Sequence, residues 1–223
     1  MAMYKKQQYV FKDGRPVLAT VRTYTENDFP GLIEVQRESF PPPFPPDLLW
    51  NREQLGNHIA LYPEGAICVE IDGEIAGSMT GMLTKFDPAH PFHRWEDVTD
   101  SGSIKTHDPD GESLYVVDIG IQPKFRKLKL GKLLMEAMYE RVVADGLERL
   151  IGGGRMPGYH RVSEELAAEQ YIDQVLAGEL RDPVISFLLS CGRMPVAIIP
   201  GYLDDEESRD YALLMEWKNP FHL

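Results

Sequence analysis

The chain has 223 residues, 43% of them hydrophobic, and a formal net charge of −12. That length suits one domain with insertions around a buried core, and the acidic balance argues against general nucleic-acid binding. No apolar run is long enough to span a bilayer, the N-terminal MAMYKKQQYVFKDG lacks the apolar stretch of a signal peptide, and Cys68 and Cys191 form no disulfide framework, so a reducing cytoplasm is the expected setting.

Residues 1–15 are polar and read as a loose extension or an edge element. Pro16–Thr23 alternates and predicts a first strand. Thr25, with Asp28 three residues on, predicts a capped helix reaching Phe40. PPPFPP at 41–46 then breaks the chain, as a stiff polyproline-like connector or a ligand for a proline-binding module. Asp47–Leu61 reads as a second helix. Ala66–Ile71 and Ile75–Lys85 read as strands joined by an Asp72-Gly73 hairpin turn. Residues 86–112 show no period and are expected to form a surface insertion of the kind that carries substrate contacts.

Leu114–Ile121 is a short run rich in Val and Ile and stopped by Pro123, which predicts a buried strand. Lys124–Lys132 then holds five Lys/Arg and no acid. From Gly131, apolar residues at Leu133, Leu134, Ala137, Met138 and Val142 recur at helical spacing, and Asp145-Gly146 ends the helix. By charge alone the turn is a solvated basic surface. Leading into a helix start, it becomes an anion site, because the first helical N–H groups lack internal partners and the macrodipole favours negative charge there. Glu148–Gly154 reads as a further strand, followed by a loop at 155–160 and a helix from a Ser163 cap to Gly178. Asp182-Pro183 opens another helix ending at Cys191, and Pro195–Ile199 and Tyr211–Trp217 are the last strands.

Arg126-Lys-Leu-Lys-Leu-Gly131 resembles the Arg/Gln-x-x-Gly-x-Gly/Ala pyrophosphate loop of the GCN5-related N-acetyltransferases, the GNAT superfamily. Val117–Pro123 is similar to that family's fourth strand and its exit, and Ala76–Gly81 to its third, where small residues are common. Lys129 departs from the pattern, standing where the first glycine is usual. The similarity of element order extends from Val17 to Trp217, apart from the helix after Ser163. Arg155–Tyr202 also resembles acetyltransferase-like domains attached to hydrolases.

The resemblance implies a mixed α/β fold in one domain over 1–223, with a central twisted sheet of about seven strands flanked by helices. Strands four and five would splay to hold acyl-CoA. Residues 1–15 would be an N-terminal extension, and 86–112 and 155–180 additions to the frame. It implies acetyl-CoA as co-substrate and a small-molecule or peptide amine as acceptor attacking the thioester directly in a ternary complex; charge and the lack of a long apolar run argue for no nucleic-acid or membrane partner. A homodimer is common in the family, although no residue here marks an interface.

Site roles follow on that basis. Backbone amides from Arg126 through Lys127, Leu128, Lys129, Leu130, Gly131 and Lys132 to Leu133 would hold the pyrophosphate, with charge from Arg126, Lys127 and Lys132. Backbone groups near Ile119, Gly120 and Ile121 would pair with the pantetheine as an added strand, and Ile119 or Ile121 would supply the oxyanion donor. Gly120 either admits the cofactor or meets a packing need. Asp118, a carboxylate among apolar neighbours, is the first candidate base; a structural partner for it is the alternative. His160 and Tyr159 follow the fifth strand and are further catalytic candidates, or plain loop residues. The tyrosine acid usual in the family, four residues before a glycine followed by Phe, is replaced: Leu188 precedes Gly192, and Arg193 follows it. Tyr159, Tyr202 or water would substitute. Arg155 is a candidate for an anionic group on the acceptor, or a structural ion pair. Cys191 reads as a small buried thiol. His90, His93 and His107 lie near Asp108 and Asp110 without coherent ligand spacing, so no metal is expected.

Overall fold

The computed structural model describes residues 4–222. Its centre is one sheet of eight strands in the order β1-β2-β3-β4-β5-β6-β8-β7. β1 (Lys5–Lys12) and β2 (Arg15–Thr23) form a hairpin through Asp13-Gly14, both at positive φ, the geometry that matches strand twist. The polar N-terminal segment is thus the sheet's edge strand rather than a loose extension. It adds one strand to the seven expected and shifts the numbering of those that follow. β3 (Ala66–Ile71) and β4 (Glu74–Thr84) form the expected hairpin at Asp72-Gly73. β4 pairs with β5 (Ser113–Ile121), with an irregularity between Thr80 and Gly81 that leaves Val117 without a counterpart.

α1 (Phe29–Ser39) packs against β4 and β5. The predicted Thr25 cap is found one turn earlier, on a 3-10 turn at Glu26–Asp28 that leads into α1: Thr25 N donates to Asp28 Oδ2 at 2.8 Å. α2 spans Arg52–Leu61, not Asp47–Leu61. Gln54 N donates to Asn51 Oδ1 at 3.0 Å and Asn51 N to Gln54 Oε1 at 2.9 Å, a complete capping box that outcompetes Asp47, which stays in a single 3-10 turn. The 86–112 segment is no surface excursion. It contains α3 (Trp95–Thr99) and buries Trp95, Thr99 and Ile104.

α4 (Leu130–Ala144) connects β5 to β6 (Arg149–Arg155) and packs against β2 to β6. Leu134, Met135 and Met138 on this helix, with Leu114, Met79 and Met82 from the sheet, are fully buried at the centre of the core. α5 is Ala168–Ala177 and begins five residues after Ser163, whose hydroxyl donates to His160 O in a turn. α6 (Pro183–Ser190) packs on β6 and leads into β7 (Met194–Ile199). β8 (Ala212–Lys218) returns between β6 and β7. Asp182 caps α6 as expected, its Oδ1 accepting from Val184 N and Ile185 N at 2.9 Å. Among the described residues no helix is long and apolar enough to cross a membrane, and both cysteines are buried free thiols.

Candidate active site

The parallel pair β5–β6 is registered only at Ser113–Arg149, Leu114–Leu150 and Tyr115–Ile151. Beyond Tyr115 the strands part, and a cleft of about 920 Å3 opens between them. Its walls are the ends of β5 and β6, the end of α1 with the proline-rich segment, and α6. Phe40 and Phe44, their rings 5.0 Å apart, bring that segment into the wall, so the proline run borders the site.

The β5 edge is arranged for an extended ligand. Gln122 N donates to Ala76 O across the β4 ladder. Strand alternation therefore turns the main-chain groups of Ile121 and Ile119 the other way, into the cleft. The Ile121 carbonyl accepts from Arg126 Nε at 3.3 Å, and the carbonyl of the bulged Val117 from Trp95 Nε1 at 3.0 Å. Ile119 has no such side-chain partner among the described residues. The space left by Gly120 is taken by α1, since a Cβ there would lie 3.0 Å from Ser39 Oγ. Packing alone accounts for that glycine.

At the far end of β5, Lys127 and Lys129 both adopt positive φ, and Lys129, with φ 62° and ψ 20°, sits at the N-cap of α4. This is the conformation for which glycine is the ordinary choice. It turns the chain so that, among the described residues, the amides of 127–131 find no backbone acceptor, while Lys132 and Leu133 donate back to Lys129 O. A row of free amides at a helix start, flanked by the cations of 124–132, is an anion cradle. Of the predicted loop residues, Arg126, Lys127, Lys129, Leu130, Gly131 and Lys132 line the cleft with Ile119, Gly120 and Ile121. Leu128 and Leu133 turn their side chains to the core.

Asp118 stands midway along the cleft wall. Gln36 Nε2 donates to its Oδ2 at 2.5 Å, and its Oδ1 is shut from solvent without a partner. Burial pushes this carboxyl up to about 6, against the opposing effects of hydrogen bonds from Gln36, Thr80 and Trp50. Two of those neighbours, Thr80 Oγ1 and Trp50 Nε1, themselves lack a well-formed hydrogen bond, as does Ser39 Oγ. Buried polar groups are ordinarily satisfied. A cluster of unsatisfied ones lining or bordering an open cleft fits a polar ligand there.

His160 and Tyr159 are not brought to the cleft. His160 Nδ1 lies 2.8 Å from Pro157 O and 3.3 Å from Glu207 O, and the buried Tyr159 hydroxyl donates to Leu166 O at 3.0 Å. Their loop folds away from β5 because Tyr159 packs against Tyr171 and Tyr211. Arg155 reaches the cleft edge but is engaged: its Nε and Nη2 donate to Asp205 at 2.7 and 2.6 Å, its Nη2 also reaches Glu207 at 3.0 Å, and its guanidinium stacks over Phe44. In the structure it is held in an ion pair with Asp205 and Glu207.

Tyr202 does enter the site. It covers Gly153 on β6, where a Cβ would lie 2.4 Å from its ring. Its hydroxyl is 2.7 Å from Tyr115 Oη, which is 2.9 Å from His93 Nε2. Beside this pair Arg193, 2% exposed, donates from Nη2 to Gly152 O at 2.9 Å and to Met215 O, and its Nε has no partner. Burial lowers this guanidinium to about 10, and its titratable neighbours are Tyr139, Tyr202, Tyr115 and Cys191 rather than any carboxylate. Sequence reasoning marked Arg193 only as a departure from Phe and dismissed His93 with the metal candidates. Among the described residues no cluster of metal-ligating side chains occurs.

A sheet that parts beside a helix-start anion cradle defines the acetyltransferase class of α/β fold. Residues 29–157, more than half of the chain, match the Acetyltransferase (GNAT) family, and the chain belongs to it. It is 53% identical over 218 residues to the uncharacterized N-acetyltransferase YkwB of Bacillus subtilis (strain 168), covering 97% of this chain and 96% of that relative. It is 40% identical over 204 residues to the probable hydrolase YhcX of the same organism, covering 91% of this chain but only 39% of that protein, so the similarity there is to one part of a longer chain. Among solved structures, the GphF GNAT-like decarboxylase in complex with isobutyryl-CoA superposes with a TM-score of 0.74 at 23% identity, over 89% of this chain and 98% of that one. At that identity the likeness is one of fold.

Proposed function

We propose that the protein is an acyl-CoA-dependent N-acyltransferase that uses acetyl-CoA and moves its acyl group directly to an amine bound in the same cleft. The observation that carries this reading is the row of amides at 127–131 without backbone acceptors, in a turn whose Lys127, Lys129, Leu130 and Gly131 line the cleft. It suits a diphosphate, which needs many donors in one concave place. Family membership and the isobutyryl-CoA complex of the GphF neighbour support an acyl-CoA as co-substrate.

In this reading Ile119 and Ile121 offer main-chain groups to the pantetheine arm, and an N–H from one of them stabilises the thioester oxygen as it gains charge. Asp118 takes the proton that must leave an ammonium before its nitrogen can attack. A carboxyl raised to about 6 remains mostly ionised near neutrality and is a stronger base than an ordinary one. Leu188 in place of the usual tyrosine leaves α6 without a phenol for the thiolate, and Tyr202, which also lines the cleft, is the replacement in kind.

The test is calorimetric titration with coenzyme A, joined to thiol release from acetyl-CoA across a panel of amines. Binding with turnover on at least one amine supports the reading, and absence of binding overturns it. Leu188 favours one second reading, a CoA-binding module without catalysis. Its signature is tight binding with no thiol release on any amine.

A further inference from the structure

Tyr202 Oη, Tyr115 Oη and His93 Nε2 form a continuous hydrogen-bonded chain from the cleft wall to a half-buried histidine in the 86–112 segment. The direction of its protons is fixed at one end. His93 Nδ1 lies 2.9 Å from Pro91 O. A carbonyl oxygen can only accept, so Nδ1 carries a hydrogen and Nε2 of the neutral ring is bare. Tyr115 must then donate to Nε2, and Tyr202 must donate to Tyr115. The Tyr202 oxygen is left with only lone pairs to offer the cleft. If His93 becomes doubly protonated, every donor in the chain reverses, and Tyr202 presents its hydrogen to the cleft instead. The chain has two ordered states, one receiving and one delivering.

The setting favours proton movement along it. Tyr202 lines the cleft, and its ring and that of Tyr115 lie 5.6 and 5.5 Å from the His93 ring. The charged groups facing the tyrosines are Arg193, which has no carboxylate among its titratable neighbours, and Glu96, which is tied to Arg94 at 3.6 Å. Arg193 offsets the charge of a phenolate while a proton is in transit.

We infer that Tyr202, Tyr115 and His93 are a proton relay serving acyl transfer, taking a proton from the attacking nitrogen and returning one to the departing sulfur. The inference rests on the acyl-transfer reading above. The steps balance. As the carbon–nitrogen bond forms, a nitrogen-bound proton passes to Tyr202 Oη, the Tyr202 proton to Tyr115 Oη, and the Tyr115 proton to His93 Nε2. When the carbon–sulfur bond breaks, the same three transfers run backwards and the thiolate leaves as a thiol. One proton has moved from nitrogen to sulfur, with no other reactant. Asp118 deals with the separate, earlier proton of the ammonium.

The experiment compares wild type, His93→Ala and Tyr115→Phe as full chains, measuring CoA affinity by calorimetry and acetyl-CoA turnover on the best amine. Tyr115→Phe keeps the ring and removes only the link, so it decides the matter if His93→Ala loses its fold. The expected result is unchanged CoA affinity and a kcat lowered about 10- to 100-fold in both variants. Added imidazole restores turnover in His93→Ala and not in Tyr115→Phe. In mixtures of light and heavy water the wild-type rate varies non-linearly with deuterium content, as several moving protons require, and Tyr115→Phe loses that curvature. Unaltered kcat and curvature in Tyr115→Phe, with wild-type turnover established, overturn the relay alone. A wild type that binds no CoA, or releases no thiol, overturns the acyl-transfer reading and the relay with it.

Discussion

Gln36 Nε2 and Asp118 Oδ2 are 2.5 Å apart, and this single side-chain hydrogen bond is what holds a solvent-shielded carboxylate on the cleft wall. That bond, with the weaker contacts of Thr80 and Trp50, does not offset burial, so the carboxyl sits at about 6 rather than at its usual 3.8. The folded state therefore binds the Asp118 proton more tightly than the unfolded chain. Its contribution to stability is fully present below the unfolded value and is lost as pH rises through about 6. Above that pH the ionised group opposes folding by up to about 3 kcal/mol. Asp118→Asn removes this penalty while lowering kcat/KM by roughly 100- to 1,000-fold. Urea unfolding at about pH 7.5 should show the variant more stable than wild type, with the difference vanishing near pH 4. A variant that is less stable at the higher pH would mean that the carboxylate is properly paired.

Lys129 tests whether the cradle depends on a side chain or on backbone alone. Its left-handed conformation, φ 62°, disfavours any residue with a Cβ by roughly 1 kcal/mol, part of which glycine returns through the freedom of its unfolded state. Lys129→Gly keeps the amide and the turn. It is expected to leave stability unchanged or raise it by up to about 1 kcal/mol, and to leave CoA affinity within about threefold. A loss of affinity of tenfold or more would transfer the binding role to the Lys129 ammonium.

Features of this chain are legible in its sequence according to the distance over which each is determined. The β5–loop–α4 unit was legible because strand, proline, cations and helical period are contiguous. The edge strand β1 stayed one of two readings, because in KKQQYVFK only Val10 is buried. Its partner is backbone, and Asp13-Gly14 was the one local signal for it. Asp47 and Ser163 each looked like a helix start: Asp47 lost to the complete box of Asn51 and Gln54, and Ser163 to a start at Ala167, whose backbone N–H donates to Gln170 Oε1 at 3.0 Å. Asp118 could be singled out as a carboxylate inside an apolar run. The Tyr202–Tyr115–His93 chain joins residues 87 and 22 positions apart, and no spacing rule announces it. His160 and Tyr159 failed to reach the cleft for the same reason: which way a loop turns after a strand is set by what it packs on.

Arg155 should act on stability and not on substrate choice. The side chain of Asp205 is 3% exposed and takes two of the guanidinium's hydrogen bonds. Arg155→Ala leaves that buried carboxylate uncompensated, at an expected loss of about 3–5 kcal/mol. Acceptor KM values for anionic and neutral amines should change by the same factor, if at all. A rise confined to anionic amines would return Arg155 to the acceptor site.

Asp182 joins three segments through one carboxylate. Its Oδ1 accepts from Val184 N and Ile185 N at 2.9 Å, and its Oδ2 from Tyr171 Oη at 2.8 Å and Gly158 N at 2.9 Å, with no exposure to solvent. The cap of α6, the body of α5 and the loop after β6 are therefore held at a common point. Asp182→Ala strands the buried donors and removes the cap, together about 2–4 kcal/mol, which for a chain of this size is a fall in Tm of about 5–15 °C. Asp182→Asn keeps the cap oxygen but turns an amide nitrogen toward Gly158 N–H, so its loss should lie between wild type and alanine. Because α6 carries Pro183, Val184, Phe187 and Leu188 into the cleft wall, CoA affinity should weaken in the same order, alanine more than asparagine. Calorimetric melting and CoA titration on the two variants check both rankings, and equal stability of the two would show that the cap bonds contribute little beside those to Tyr171 and Gly158.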